Sequence, residues 1–329
     1  MSMDFAAGGR PDLRLTASDV GKRVSVRRIA EVVEGRPVFR DAVGLLTSWN
    51  DGVLIVTRRT GEAVHIAESS VVAGKVVPDT PLRRGVRAPR ATAQELQEIA
   101  SRDWPAQETE RLGDWILRAA GGFTRRANSV LPFGDPGIPV AAAAGRIVEW
   151  YAARGLHPCV QVTDEGLDGE LAALGWTKEA EALLRTAPLP PLADLPGAER
   201  VRLSREVDAE WMARYHRTGA LGEEAVKVLT GGPSVWFATV PGAEGPAAIG
   251  RCVVDGAWAM FGAVEVDPAS RRQGLATAVM AALALRAVAE GASGAYLQVE
   301  ADNEGARSMY DRLGFTTHHA YHYRRAPKG

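Results

Sequence analysis

The chain has 329 residues, 46% hydrophobic and 24% charged, enough for two or three domains with a sizeable core. A net charge of −1 excludes a global basic field for nucleic acid. No apolar run nears membrane-spanning length, and the start, MSMDFAAGGRPDLRL, has neither the basic end nor the apolar core of a signal peptide. The two cysteines, Cys159 and Cys252, stand in apolar strand-like contexts and read as buried thiols, not a disulfide. We expect a cytoplasmic protein with no membrane segment.

After a flexible tail (1–14), residues 15–78 alternate short strands with tight turns. The expected strands are Lys22 to Ile29, Ala42 to Trp49, Val53 to Arg58, Ala63 to Ile66 and Val72 to Val77. Asn50-Asp51-Gly52 and Arg59-Thr60-Gly61-Glu62 supply hairpin turns. Short strands joined this way predict a small all-β barrel. It resembles the Tudor-like and Src-homology-3-like barrels, which implies a protein or nucleic-acid partner. Trp49 and Phe39 either line a groove there or fill the core. Two proline-rich stretches, 79–92 and 188–198, read as exposed connectors.

Between and after these connectors, two segments echo each other, 93–187 and 199–329. The first holds Tyr151-Ala-Ala-Arg-Gly-Leu-His-Pro-Cys-Val-Gln-Val162 and then Leu171-Ala-Ala-Leu-Gly-Trp176. The second holds Arg286-Ala-Val-Ala-Glu-Gly-Ala-Ser-Gly-Ala-Tyr-Leu-Gln-Val299 and then Tyr310-Asp-Arg-Leu-Gly-Phe315. In each, a helix ends at glycine, a strand reaches Gln-Val, and a second helix closes with Leu-Gly-aromatic. We expect two copies of one α/β unit.

The copies differ at one loop. In the second, an extended run ending at Val266 leads through Ser270-Arg-Arg-Gln-Gly274 into a helix with Leu275, Val279, Leu283 and Ala287 at helical spacing. The first backbone N–H groups of such a helix point outward and suit a phosphate. In the first copy the same place reads Phe133-Gly-Asp-Pro-Gly-Ile-Pro139, where prolines remove donors and an aspartate repels anions.

With these residues in hand, 201–325 resembles the GNAT superfamily of acetyl-CoA-dependent N-acetyltransferases. Arg271-Arg-Gln-Gly-Leu-Ala276 matches that family's (Q/R)-x-x-G-x-(G/A) loop after its fourth strand. Asn303, Ala306 and Tyr310-Asp-Arg-Leu-Gly-Phe315 match its later signature. More broadly the chain resembles tandem GNAT proteins of actinobacteria, some of which carry an amino-terminal barrel. The resemblance implies an α/β fold with a mixed sheet, a degenerate GNAT-like domain over 93–187 and a catalytic one over 199–329.

The same resemblance implies acetyl-CoA as cosubstrate and a primary amine as acceptor: a protein lysine, a protein amino terminus or a small amine. The loop Arg271, Arg272, Gln273, Gly274, Leu275, Ala276 and Thr277 would hold the pyrophosphate. Strand residues Val264, Glu265 and Val266 would pair with the pantetheine arm, and Asn303 would hold its end. Tyr310 would protonate the departing thiolate. Glu265 and Glu300 are the candidate bases, since Gln298 stands where some relatives have glutamate and an amide takes no proton. That glutamine also supports an alternative, a noncatalytic acyl-CoA sensor or adaptor whose barrel recruits a partner.

Two further groups invite a role. His318, His319 and His322 lack an accompanying cysteine or carboxylate cluster, so no metal site is expected. Arg125, Arg126 and Asn128 either shape an acceptor pocket or lie on the surface of a scaffold.

Overall fold

The computed structural model describes residues 12–33, 35–58, 62–77, 87–215 and 222–327. They form two compact units, Met1–Arg84 and Gly85–Gly329.

The first unit contains β1 (Asp12–Arg14), β2 (Arg23–Val33), β3 (Arg36–Asn50), β4 (Val53–Thr57), β5 (Ala63–Ala67) and β6 (Val71–Val76). Their order is β1-β6-β2-β3-β4-β5. Asp51 and Gly52 both have positive φ, as a two-residue hairpin turn requires, while residues 59–61 of the second expected turn lie outside the described ones. Alternate residues such as Val24, Val26, Leu46, Leu54, Val56 and Ile66 bury one face in a shared core. The expected barrel is not closed by strand pairing. Instead β1 joins β6 in parallel and ends the sheet there, and among the described residues no ladder links it to β5. Part of the expected flexible tail is therefore a strand. Trp49 is half-buried on the core and donates to Glu68 at 3.2 Å, whereas Phe39 is exposed. The connector at 79–92 lies largely outside the described residues.

The second unit opens with α1 (Ala93–Asp103), the hairpin β7 (Glu108–Leu112) and β8 (Trp115–Ala119), α2 (Val140–Ala152), β9 (Cys159–Val162), α3 (Glu165–Ala173) and β10 (Thr177–Pro188). It continues with α4 (Pro190–Ala193), β11 (Arg202–Ser204), α5 (Ala209–Arg214), α6 (Glu223–Thr230), β12 (Val235–Val240), β13 (Ala248–Asp255) and β14 (Trp258–Val266). Last come α7 (Leu275–Ala289), β15 (Gly294–Glu300), α8 (Glu304–Arg312) and β16 (Thr316–Arg325). Among the described residues no helix is long and apolar enough to cross a membrane.

Eight strands form one sheet, in the order β11-β12-β13-β14-β15-β10-β16-β9. Here the two echoing segments exchange their final strands. β10, from the first segment, pairs with β15 of the second, and β16, from the second, pairs with β9 of the first. The two exchanged strands also pair with each other. Each thus gains hydrogen-bond partners on both edges, which a strand at a sheet margin lacks. The segments expected as separate domains consequently share one sheet. The stretch 188–198 is not an exposed connector either. Leu189 and Leu192 are buried in the core under α7, because their spacing across the short helix α4 turns both inward.

α7 and α4 cover one face of the sheet, and α1, α5 and α6 pack on the other. Both cysteines are free and buried, and burial pushes the Cys159 thiol up to about 12. On the α1 face, Arg251 is fully buried and donates to the carbonyls of Leu229, Asp103 and Gly231. The Tyr296 hydroxyl donates to the Asp103 carboxylate, whose burial pushes it up to about 7. The unfolded chain releases this proton near 3.8, whereas the folded chain holds it to about 7. Stability therefore falls as pH rises between these values. Relative to the native chain, Asp103→Asn is expected to gain about 1.4 kcal/mol per pH unit across that window and nothing further above it. Urea unfolding of both proteins across the window measures this. A difference that does not move with pH would mean that Asp103 is ionised throughout.

Candidate active site

β14 and β15 run parallel and pair only from Trp258/Gly294 to Phe261/Leu297. Beyond that point they part. The cause lies in β14: Ile249 faces Glu265 while Arg251 faces Gly262, so Ala263 and Val264 together oppose Gly250. Ala263 takes φ 51°, and the resulting bulge bends the strand away from β15. Gly250 is required opposite it, since a Cβ there would lie 2.4 Å from Val279 of α7. The sheet and helix approach closely at the bulge.

The loop between β14 and α7 is fixed by its own backbone. Asp267 accepts from the amide of Ala269, and Pro268–Ser270 form a short 3-10 turn. Arg272 and Gly274 then take φ 63° and 74°. Gly274 is the N-cap of α7 and brings no side-chain cap, so the opening turn at Leu275, Ala276 and Thr277 is left to other acceptors. A Cβ on Gly274 would meet nothing within 4 Å. Arg271, Arg272 and Gln273 are exposed, and Arg200 holds the Gln273 carbonyl at 3.2 Å.

α8 carries Tyr310 at half burial against the α7-side core, its ring 5.7 Å from that of Phe315 and edge-on. Arg185 of the exchanged strand β10 anchors this helix, donating to Asp311 and to the carbonyls of Arg307 and Phe315. Asn303 caps α8, accepting from Ala306 at 3.1 Å.

A cavity of about 330 Å³ opens where β14 and β15 part, lined there by Phe261 to Ala263 and Gln298 to Glu300. Of the two carboxylates expected as bases, Glu300 lines it and Glu265 does not. Gln298 accepts a hydrogen bond from the Tyr321 hydroxyl. Tyr310 and Asn303 lie outside the cavity wall, and the loop 271–277 likewise. The remaining wall comes from Trp104, Thr124 to Arg126, Ala180, Ala182, Tyr215, Tyr321 and Tyr323.

Residues 90–324 match the family model described as the carboxy-terminal region of probable histone acetyltransferase Rv0428c. The chain belongs to that family. It is a GNAT-type acetyltransferase. It is 28% identical over 312 residues to the Mycobacterium tuberculosis protein named probable histone acetyltransferase Rv0428c, covering 92% of this chain and 94% of that one. The Bacillus subtilis protein named uncharacterized N-acetyltransferase YobR is 26% identical over 242 residues, covering 70% of this chain and 97% of its own. A GCN5-related N-acetyltransferase from Kribbella flavida shares the fold at a TM-score of 0.55 and 18% identity, over 73% of this chain and 98% of that one.

Sequence reasoning overlooked several cavity residues of this acetyltransferase. Trp104, Tyr215 and the pair Tyr321 and Tyr323 come from three places in the chain, and only the strand alternation of β16 joins the last two. Arg125 and Arg126 line the cavity, which settles their placement. Asn128 does not reach it. Its side chain accepts from the amides of Ala120 and Gly122 and donates to the carbonyls of Phe123 and Thr124, clamping the loop before the arginines. The histidines are engaged elsewhere. His322 meets Asp168, which Arg324 holds well below the usual carboxylate range, and burial lowers His319 to about 4. A neutral His319 agrees with its contacts to Gln97 at 2.8 Å and His318 at 2.9 Å.

Proposed function

We propose that this chain moves the acetyl group of acetyl-CoA to a primary amine by direct attack in the cleft between β14 and β15. The observation that carries the reading is the early end of their pairing. Among the described residues, the β15-side edge of β14 has no strand partner from Gly262 to Val266, and the cavity begins there. An extended pantetheine arm fits such an edge as an added strand. The pyrophosphate then falls to the loop Arg271–Thr277 and the uncapped start of α7, where amide donors and the helix dipole favour an anion.

An amine of pKa about 10 is mostly protonated at neutral pH and must first lose a proton. Glu300 is our candidate to receive it, being the expected base that lines the cavity. The amine nitrogen then bonds to the thioester carbonyl carbon, and the C–S bond breaks. The coenzyme A thiolate leaves with a proton that we assign to the Tyr310 hydroxyl, and the second proton shed by the nitrogen as the amide forms returns through solvent to the tyrosinate. A protein lysine, a protein amino terminus and a small amine all satisfy this chemistry.

The test is titration calorimetry with acetyl-CoA, followed by coenzyme A release with a panel of amines. We expect one site per chain. In the first segment the loop Phe133–Pro139 spends its donors internally: the Asp135 amide donates to Asp114 and the Gly137 amide to Asp135. Two equivalent sites would show that this segment binds the cofactor as well. No binding at all would remove the transferase reading.

A further inference from the structure

One cation of the cavity wall, Arg126, has no carboxylate paired with it among the described residues. Its Nε is buried with no hydrogen-bond acceptor, while its neighbour Arg125 lies 3.6 Å from Glu179. Arg126 stacks instead over Trp104, 5.3 Å from the ring centroid. A guanidinium held partly out of water without an anion is costly, and proteins seldom keep one unless something pairs with it.

The loop is built to hold it there. Asn128 uses both its donors and both acceptor positions on the backbone of this loop. Thr124 sits at φ 55°, a conformation rare for a β-branched residue, and its hydroxyl accepts from the Trp104 indole at 2.9 Å. Strain of this kind persists where surrounding contacts impose it, and it gathers at binding sites. The rest of the wall carries the aromatic rings of Tyr215, Phe261, Tyr321 and Tyr323 among small residues, and one carboxylate, Glu300. The volume, about 330 Å³, suits a small molecule and not a folded partner.

We infer that the acceptor is a small zwitterionic amine, whose carboxylate or phosphate pairs with Arg126 while its amino group enters the cleft beside Glu300. This rests on the transferase reading above and narrows its acceptor. It sets a metabolite-sized substrate apart from a lysine within a basic protein tail, whose cationic neighbours Arg126 would repel.

Matched amines differing in one anionic group test it: phenylalanine against phenethylamine, 4-aminobutyrate against butylamine, and phosphoethanolamine against ethanolamine. A lysine-containing peptide is the fourth arm. Acetyl-CoA binding is measured first, so that failure of the transferase reading is seen separately. With the native protein we expect kcat/KM to favour the anionic member by about 30-fold or more, as loss of a charge-assisted hydrogen bond would imply. The pair with the greater ratio tells carboxylate from phosphate. Arg126→Gln should erase that preference mainly through KM and keep acetyl-CoA affinity. Equal rates within every pair overturn the inference, and so does a lysine peptide acetylated faster than all the small zwitterions. If Arg126→Gln fails to fold, the matched pairs on the native protein still decide the matter.

Discussion

Gly274→Glu is expected to abolish acetyl-CoA binding while the chain stays folded. Gly274 opens α7 at φ 74°, and the direction of its missing Cβ is clear of protein atoms to 4 Å. We assign that space to the pyrophosphate. A glutamate there places a carboxylate against two phosphates and fills the approach to the helix's opening amides. The backbone cost of a side chain in this left-handed conformation is about 1–2 kcal/mol, too little to unfold a domain of this size. Gly274→Ala separates the two effects, since it brings the strain without the charge. Titration calorimetry on the three proteins, with thermal melts as the folding control, is the measurement. Unchanged affinity in a folded Gly274→Glu would remove the loop from the cofactor site.

Tyr310→Phe is expected to lower turnover by about 10²-fold or more, the range of general acid catalysis. The substitution keeps the ring, its edge-on contact with Phe315 and its seat on the α7-side core. Acetyl-CoA affinity should change little, because the hydroxyl's interaction forms as the leaving group departs. A coenzyme A thiol with a pKa near ~8.5, taking cysteine as the guide, leaves fairly well unaided and sets the lower end of the effect. Steady-state kinetics on both proteins, at saturating acetyl-CoA and with one active amine, provides the comparison. Turnover near the native value would make Tyr310 a packing residue.

What the sequence determined by itself is what short-range chemistry governs. The loop from Ser270 to Gly274 and the helix that follows were legible because a turn glycine and apolar spacing act within a few residues of one another. The same holds for Asp51-Gly52 between β3 and β4. The placement of β10 and β16 was not legible. Their residues alternate in the same way whichever strands they join, so the choice of neighbour is made by the whole sheet. The open edge at β1 and the burial of Leu189 and Leu192 have the same origin. The cavity depends most on tertiary structure. Trp104 meets Thr124 only because α1 and the loop after β8 pack together. Arg126 is an ordinary polar residue in the sequence. The burial of its Nε, with no carboxylate paired to it among the described residues, is a property of everything folded around it, since a charge's cost is set by which groups come within a few ångströms and not by its neighbours along the chain.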